Sequence, residues 1–346
     1  MKHPARPIGP GALPGLICAL PLTVMLAACG GGGDGGGSSP PAPPAPPPGQ
    51  ETSRPITDMP TSSHTGDKLA AFTRLNEARL AAGVSAVKQN AQLDAAAQAH
   101  ATYQVRNYVV GHGEDPNKPG FTGTGPIERA IAQGYVGNTV GEVISYTQPG
   151  IEAIESLLLS VYHLHALLDP RANQVGIGVD TTTTPAHLSS TSITLGSSSS
   201  GLLTTALTWH WPAAEQTNIN PSFVPSNESP NPAPDLSLAG TPIMFCGAVG
   251  HFAPLHVSLV SLQEEGTSVS VPLRLLKNEV VQVDKDIEAD VVVDPQLTPA
   301  SVYQGCIFLL PVEALQPGKN YLVQIEATQA GESLSNAWSF TTRNSN

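Results

Sequence analysis

Gln174-Val175-Gly176-Ile177-Gly178-Val179 is the stretch that decides the class of fold, because it reads as a buried strand that follows a series of helices. Upstream of it, Leu69, Phe72, Leu75 and Leu80 mark one side of a helix that begins near Asp67, a side chain suited to an N-cap, and stops at Gly83. A second helix runs from about 90 to 107 and carries Leu93, Ala96, Ala97 and Tyr103 among many small residues, which permit close packing. A third spans 151 to about 162, with Ile154, Leu157, Leu158 and Val161 at i, i+3, i+4, i+7 spacing. Helices interleaved with a strand imply α+β or α/β architecture.

Several segments in this region occur in a recognisable order. Leu75-Asn76-Glu77-Ala78-Arg79 with Ala81-Ala82-Gly83 resembles the opening helix of the CAP superfamily, named for cysteine-rich secretory proteins, antigen five and pathogenesis-related proteins. Residues 95–101 resemble its second helix. Pro119-Gly120-Phe121-Thr122-Gly123, Gly141-Glu142, Tyr162-His163 with Leu168-Asp169-Pro170-Arg171, and Val175-Gly176-Ile177-Gly178 match its bacterial branch in order and spacing. The resemblance covers about 68–179 and implies an α-β-α sandwich, here given the bounds 66–204.

The same resemblance implies a cleft lined by two histidines and two acids. By motif position these are His112, Glu142 and His163; where the second acid belongs the chain offers only leucines and Ser160, and Glu152 and Glu155 lie too early. Two imidazoles and a carboxylate can hold zinc or another divalent metal with a position open to water, and the same trio can move protons near neutral pH. Equally, it can be a hydrogen-bonded polar cluster that holds the cleft walls and binds nothing. No Ser-His-Asp or Cys-His arrangement is apparent. His100 is expected as a packed helix residue, His165 matches no family position, and residues 111–115 are expected as an exposed rim. Asn227-Glu228-Ser229 fits a glycosylation pattern by composition alone.

The amino terminus determines the expected compartment. Lys2 and Arg6 precede an apolar stretch, 13–28, that is too short and too interrupted by Pro14 and Pro21 to span a membrane comfortably. Its end, Leu26-Ala27-Ala28-Cys29, resembles a bacterial lipobox, with 1–28 as the signal peptide and Cys29 as the lipidated residue. The glycine and proline runs of 29–65 form an extended tether that cannot bury a core. By resemblance to Gram-negative lipoproteins, Gly30 rather than aspartate after the cysteine implies the outer membrane. Removing Lys2 and Arg6 leaves 14 basic against 28 acidic residues, a balance that argues against a nucleic-acid partner. In an oxidising compartment Cys246 and Cys306 read as one disulfide. A zinc site there would have to recruit His251 and His256, whose spacing fits no zinc knuckle.

From 205 to 346 the texture changes to Val, Thr, Ser and Pro, with alternating runs at 255–262, 269–275 and 280–283 after Trp209-His210-Trp211. The expected structure is an all-β sandwich, and Leu315-Gln316-Pro317-Gly318-Lys319-Asn320-Tyr321 resembles the corner of immunoglobulin-like and fibronectin-type domains. A serine- and threonine-rich stretch, 181–200, lies between the two textures. Three functions follow as expectations. The first is a non-enzymatic envelope protein whose cleft takes a small apolar or envelope-derived ligand. The second is a metal-assisted hydrolase acting through His112, Glu142 and His163 on an envelope or extracellular polymer. The third is adhesion through the β-sandwich.

Overall fold

The backbone of one helix lies directly against a strand with no side chain between them, and this contact arranges the first half of the molecule. A computed structural model describes residues 54–183, 188–198, 203–249, 253–298 and 304–345; the signal segment, Cys29, the first part of the tether and His251 lie outside them. The elements of the first half are α1 (Gly66–Ala82), β1 (Lys88–Gln89), α2 (Ala91–Asn107), α3 (Pro126–Ala132), β2 (Thr139–Ser145), α4 (Ile151–Leu158), α5 (Tyr162–Leu167), β3 (Gln174–Thr182) and β4 (Leu188–Ser197). The strands form one sheet in the order β1-β3-β4-β2, with β1 parallel to β3 and the other pairs antiparallel. A Cβ at Gly176 would overlap the backbone of Leu93, and one at Gly178 that of Ala97. Glycine on β3 and alanine on α2 therefore let the helix and strand touch.

Local chemistry explains the helix limits. Asn90 accepts hydrogen bonds from the amides of Gln92 and Leu93, both 3.0 Å, and so starts α2. The α1 N-cap is Thr65, which makes no side-chain cap; Asp67 lies inside the first turn, where its charge suits the helix dipole. Gly83 ends α1 in the left-handed conformation, as expected. The buried stripe of α1 is Ala71, Phe72, Leu75, Ala78, Arg79 and Ala82, whereas Leu69 is exposed. The third helix does not run through to residue 162. It stops at Leu158 and a second helix begins at Tyr162, because the Glu228 carboxylate receives the amides of Val161, Tyr162 and His163 at 2.8, 2.8 and 3.1 Å. A buried carboxylate from a distant loop thus caps α5.

Residues 181–200 are not a plain connector: β4 lies in the interior of the sheet, and Ser189 to Ser197 are buried. Its hydroxyl-rich composition hides a strand whose Ile193 and Leu195 enter the core.

The second half contains β5 (Thr208–Trp211), β6 (Gln216–Ile219), β7 (Ile243–Gly247), β8 (Leu255–Glu264), β9 (Leu273–Lys277), β10 (Gln282–Val283), β11 (Asp290–Val293), β12 (Cys306–Pro311), β13 (Asn320–Gln329) and β14 (Glu332–Thr342). They form two open sheets, β11-β9-β12-β7-β5 and β10-β8-β13-β14-β6. Strands β7 and β12 are buried on both faces. Phe245, Ile307 and Leu309 meet the other sheet, while Met244, Cys246 and Phe308 join the core of α1, α4 and α5. One apolar core therefore continues from the first sheet, through these three helices, to Trp209, Trp211 and Phe308. Tyr162 donates to Asp294 across the same contact, 2.7 Å, and burial together with that bond raises its phenol above the ordinary value.

Immunoglobulin-like details differ from the expectation. The disulfide Cys246–Cys306 joins directly opposed residues of β7 and β12 in one sheet, where an immunoglobulin domain would bridge its two sheets. The pairs β10–β8, β11–β9 and β14–β6 are parallel. The Tyr321 hydroxyl does accept the Gln316 amide at 2.8 Å. With its cysteines 60 positions apart, the disulfide contributes on the order of 4 kcal/mol by restricting the unfolded chain.

The helix-on-strand contact is directly testable. Gly178→Val is expected to lower the stability of the full chain by at least about 3 kcal/mol in urea denaturation, because neither backbone can move without losing the sheet. An unchanged midpoint would mean that α2 does not lie on β3.

Candidate functional site

The face of α2 that carries Leu93 and Ala97 continues one and two turns later with His100 and Gln104, so the contact with β3 also sets these polar side chains over the sheet. Both are fully buried. Gln104 accepts from the Ser190 hydroxyl at 2.6 Å and donates to the Gly111 carbonyl at 2.7 Å and the Tyr146 hydroxyl at 2.9 Å. His100 places Nδ1 2.9 Å from Glu114 Oε1 and Nε2 3.1 Å from the Gly111 carbonyl. Both ring nitrogens therefore face oxygen atoms of the protein.

Arg129 ties this group to the next. Its Nη2 donates to both oxygens of Glu142 at 2.8 and 2.9 Å, and its Nη1 to the His112 carbonyl at 2.9 Å. Glu142 also accepts from Ser192 at 3.1 Å and lies 3.0 Å from His112 Nδ1. Glu114 takes the amide and hydroxyl of Thr122. The side chains of Glu114, Glu142, Arg129 and His100 are all essentially inaccessible to water. Burial alone would raise the Glu142 carboxyl. The His112 hydrogen bond and the charges of His100 and Arg129 outweigh it and hold the group below its ordinary value. Two buried anions thus sit among the guanidinium and an imidazole with two acceptors, and the hydrogen bonds are made within the protein.

Of the three residues named by motif, His112 and Glu142 come together and His163 does not join them. His163 Nδ1 is 2.8 Å from Glu228, the carboxylate that caps its own helix. The middle residue of the glycosylation pattern is therefore a buried structural acid. Residues 111–115 are not simply an exposed rim, since Glu114 is a buried member of the network. A divalent metal fits this donor set poorly. Arg129 occupies both Glu142 oxygens, His163 is turned to Glu228, and among the described residues no three His, Cys, Asp or Glu side chains converge as metal ligands. What remains chemically open is His112. Its side chain is about half exposed, with Nδ1 3.0 Å from Glu142.

Sequence reasoning missed Arg129, Glu114 and Ser192. One signal was present. In Pro126-Ile127-Glu128-Arg129-Ala130-Ile131 the apolar residues suggest the buried face, yet Ile127 and Ile131 are exposed and Arg129 is buried. An arginine within so short a helix is worth testing as its anchor.

On the other side of the sheet lies a cavity of about 340 Å³. Val140, Gly141, Ala166, Ala172 and Leu195 line it, together with His165, Asp169 and Arg171. It touches Glu142, but the side-chain partners of that carboxylate, Arg129, His112 and Ser192, do not line it. His165, two residues past His163, is thus a cavity residue. Burial brings its imidazole down to about 4, with Arg171 adding and Asp169 opposing, so it is neutral at pH 7. Asp169, despite burial, is held below its ordinary value by Arg171, which it accepts from at 2.9 and 3.0 Å.

These shifts predict an acid dependence of stability. The unfolded chain protonates His165 near 6.5 and the folded chain near 4, so stability is fully present above 6.5 and falls as pH drops through that window. The loss is on the order of 3 kcal/mol. Glu142 and Asp169 contribute above their ordinary values of 4.5 and 3.8 and lose that contribution only below them. Urea titrations from pH 7 to 4.5 are therefore expected to fall steeply for the wild type and less for His165→Gln. Parallel curves would contradict the buried neutral imidazole.

Comparison with known proteins agrees with the order of segments. Residues 72–187 match the model of the cysteine-rich secretory protein family, CAP. Among solved structures, an outer surface protein of Borrelia burgdorferi is similar at 18% identity and TM-score 0.34, over 38% of this chain and 92% of that one. An extracellular protein containing an SCP domain from Bacillus anthracis is similar at 17% identity and TM-score 0.32, over 40% of this chain and 45% of that one. No curated protein matches the chain. The segment from α1 to the start of β4, residues 72–187, is accordingly a CAP domain.

Proposed function

We propose that this chain is a lipid-anchored envelope protein that binds a small, largely apolar molecule in the cavity over Gly141 and is not a metal-dependent hydrolase. The observation that carries the reading is the separation of two sites. The carboxylates of the charged network under α2 are held by protein donors, with Arg129 Nε left without a hydrogen-bond partner among the described residues, whereas the cavity on the opposite face has an aliphatic wall and a few polar groups at one side. That mixture suits an amphipathic ligand, with Ala166 and Leu195 against its apolar part and the Asp169–Arg171 pair near its polar end. Anchoring rests on Leu26-Ala27-Ala28-Cys29, and outer-membrane sorting on Gly30. In this reading Glu142 and Arg129 hold β2, an edge strand that forms one wall of the cavity.

Gly141 offers a clean test, because a Cβ there meets nothing within 4 Å and its side of the strand faces the cavity. The full chain, the Gly141→Leu variant and the Cys29→Ser variant are expressed, fractionated and extracted for bound small molecules by mass spectrometry. The wild type is expected in the membrane fraction with a co-purifying amphipathic molecule. Gly141→Leu is expected to keep its stability and lose the molecule, and Cys29→Ser to move to the soluble fraction. A wild type that never retains a ligand, or a Gly141→Leu chain that retains it equally, contradicts the cavity assignment. Membrane attachment unchanged in Cys29→Ser contradicts the anchor.

A further inference from the structure

A second groove, of about 580 Å³, runs between α4 and β6, and its chemistry differs from that of the cavity over Gly141. One wall carries Ile151, Glu152, Ser156 and Leu159 of the CAP half; the other carries Thr217, Asn218, Ile219 and Asn220, with Arg343 beyond them. Trp211 closes the floor and is already covered by Arg74, whose guanidinium carbon lies 5.8 Å from the ring centre and whose Nε donates to Glu155 at 2.5 Å. The groove is therefore built by both halves of the molecule and is not part of the network under α2.

Its polar groups are unusually free. Thr217 and Asn218 are exposed and, like Arg343, have no side-chain hydrogen-bond partner among the described residues. Hydroxyl, amide and guanidinium lie beside the apolar surfaces of Ile151 and Leu159. Such a surface matches a sugar chain, which presents hydroxyls at its edges and C–H faces between them. Volume agrees, since small-molecule sites span roughly 300–1,000 Å³.

The backbone argues for the same class of ligand over an extended peptide. Strand β6 is the edge of its sheet, the place where a peptide could add as a further strand. However, Glu215 and Asn218 adopt the left-handed conformation, with φ of 59° and 61°, and the pairing of β6 with β14 slips between Phe340 and Thr342. These bends break the regular row of edge amides that strand addition requires, and they turn the Thr217 and Asn218 side chains outward instead. We infer that the groove between α4 and β6 is a glycan-binding site that takes a short segment of polysaccharide.

The test uses the full chain in detergent, titrated calorimetrically with an N-acetylglucosamine tetramer, a glucose hexamer of a neutral glucan, and an extended hexapeptide of alternating valine and threonine. The variants are Asn218→Gly, which removes the amide but tolerates the positive φ, and Arg343→Gln. At least one oligosaccharide is expected to bind with a Kd below the millimolar range, and each variant to weaken it about tenfold or more while melting like the wild type. Preference between the two sugars separates an amino-sugar polymer from a neutral glucan. Absence of binding by both sugars, unchanged affinity in both variants, or binding of the hexapeptide alone would overturn the assignment. The result does not depend on the cavity over Gly141, which Gly141→Leu addresses separately.

Discussion

The backbone-to-backbone contact of α2 with β3 is the constraint on which the rest of the CAP half depends. Gly176 and Gly178 remove the side chains that would hold helix and strand apart, and Ala97 keeps the helix surface thin at the same place. Once Leu93 and Ala97 are seated, helical periodicity puts His100 and Gln104 over β4 and β2. The polar residues of β4, Ser190 and Ser192, are there to receive them and Glu142. Close packing and the polar network are thus one arrangement read along a single helix face.

The network has a structural logic of its own. Its charges are buried, and a buried carboxylate without partners is costly, whereas one whose two oxygens both accept from a guanidinium nitrogen is retained. Arg129 supplies that contact to Glu142 and also holds the His112 carbonyl, so it fixes the loop that presents His112. A further buried acid, Glu228, plays the corresponding part between the halves by capping α5. The apolar core continues across the same boundary, which makes α1, α4 and α5 a layer shared by the CAP sheet and the sheet of β7 and β12.

Much of this was legible in the sequence, for reasons that can be named. The strand 174–179, the helix from about 90 to 107, the stop at Gly83 and the Cys246–Cys306 pair each follow from short-range chemistry or compartment, whereas the N-cap expected at Asp67 is Thr65. Residues 181–200 misled because β4 is polar where it meets the buried network, and a polar strand resembles a linker. The break between α4 and α5 was hidden because its cause, Glu228, lies more than sixty residues downstream. His163 and His165 differ by two positions on one helix, so motif spacing could not decide which faces Glu228 and which faces the cavity. Arg129 went unread because its neighbours Ile127 and Ile131 carry the apolar signal and yet face solvent.

The central claim is that the Arg129 guanidinium, and not a metal ion, neutralises Glu142. Zinc content of the full chain, purified without chelator and equilibrated with micromolar zinc before desalting, tests it most directly, with His112→Ala as the control. The account predicts well below one zinc per chain in both proteins. One zinc per wild-type chain, lost in His112→Ala, would contradict it.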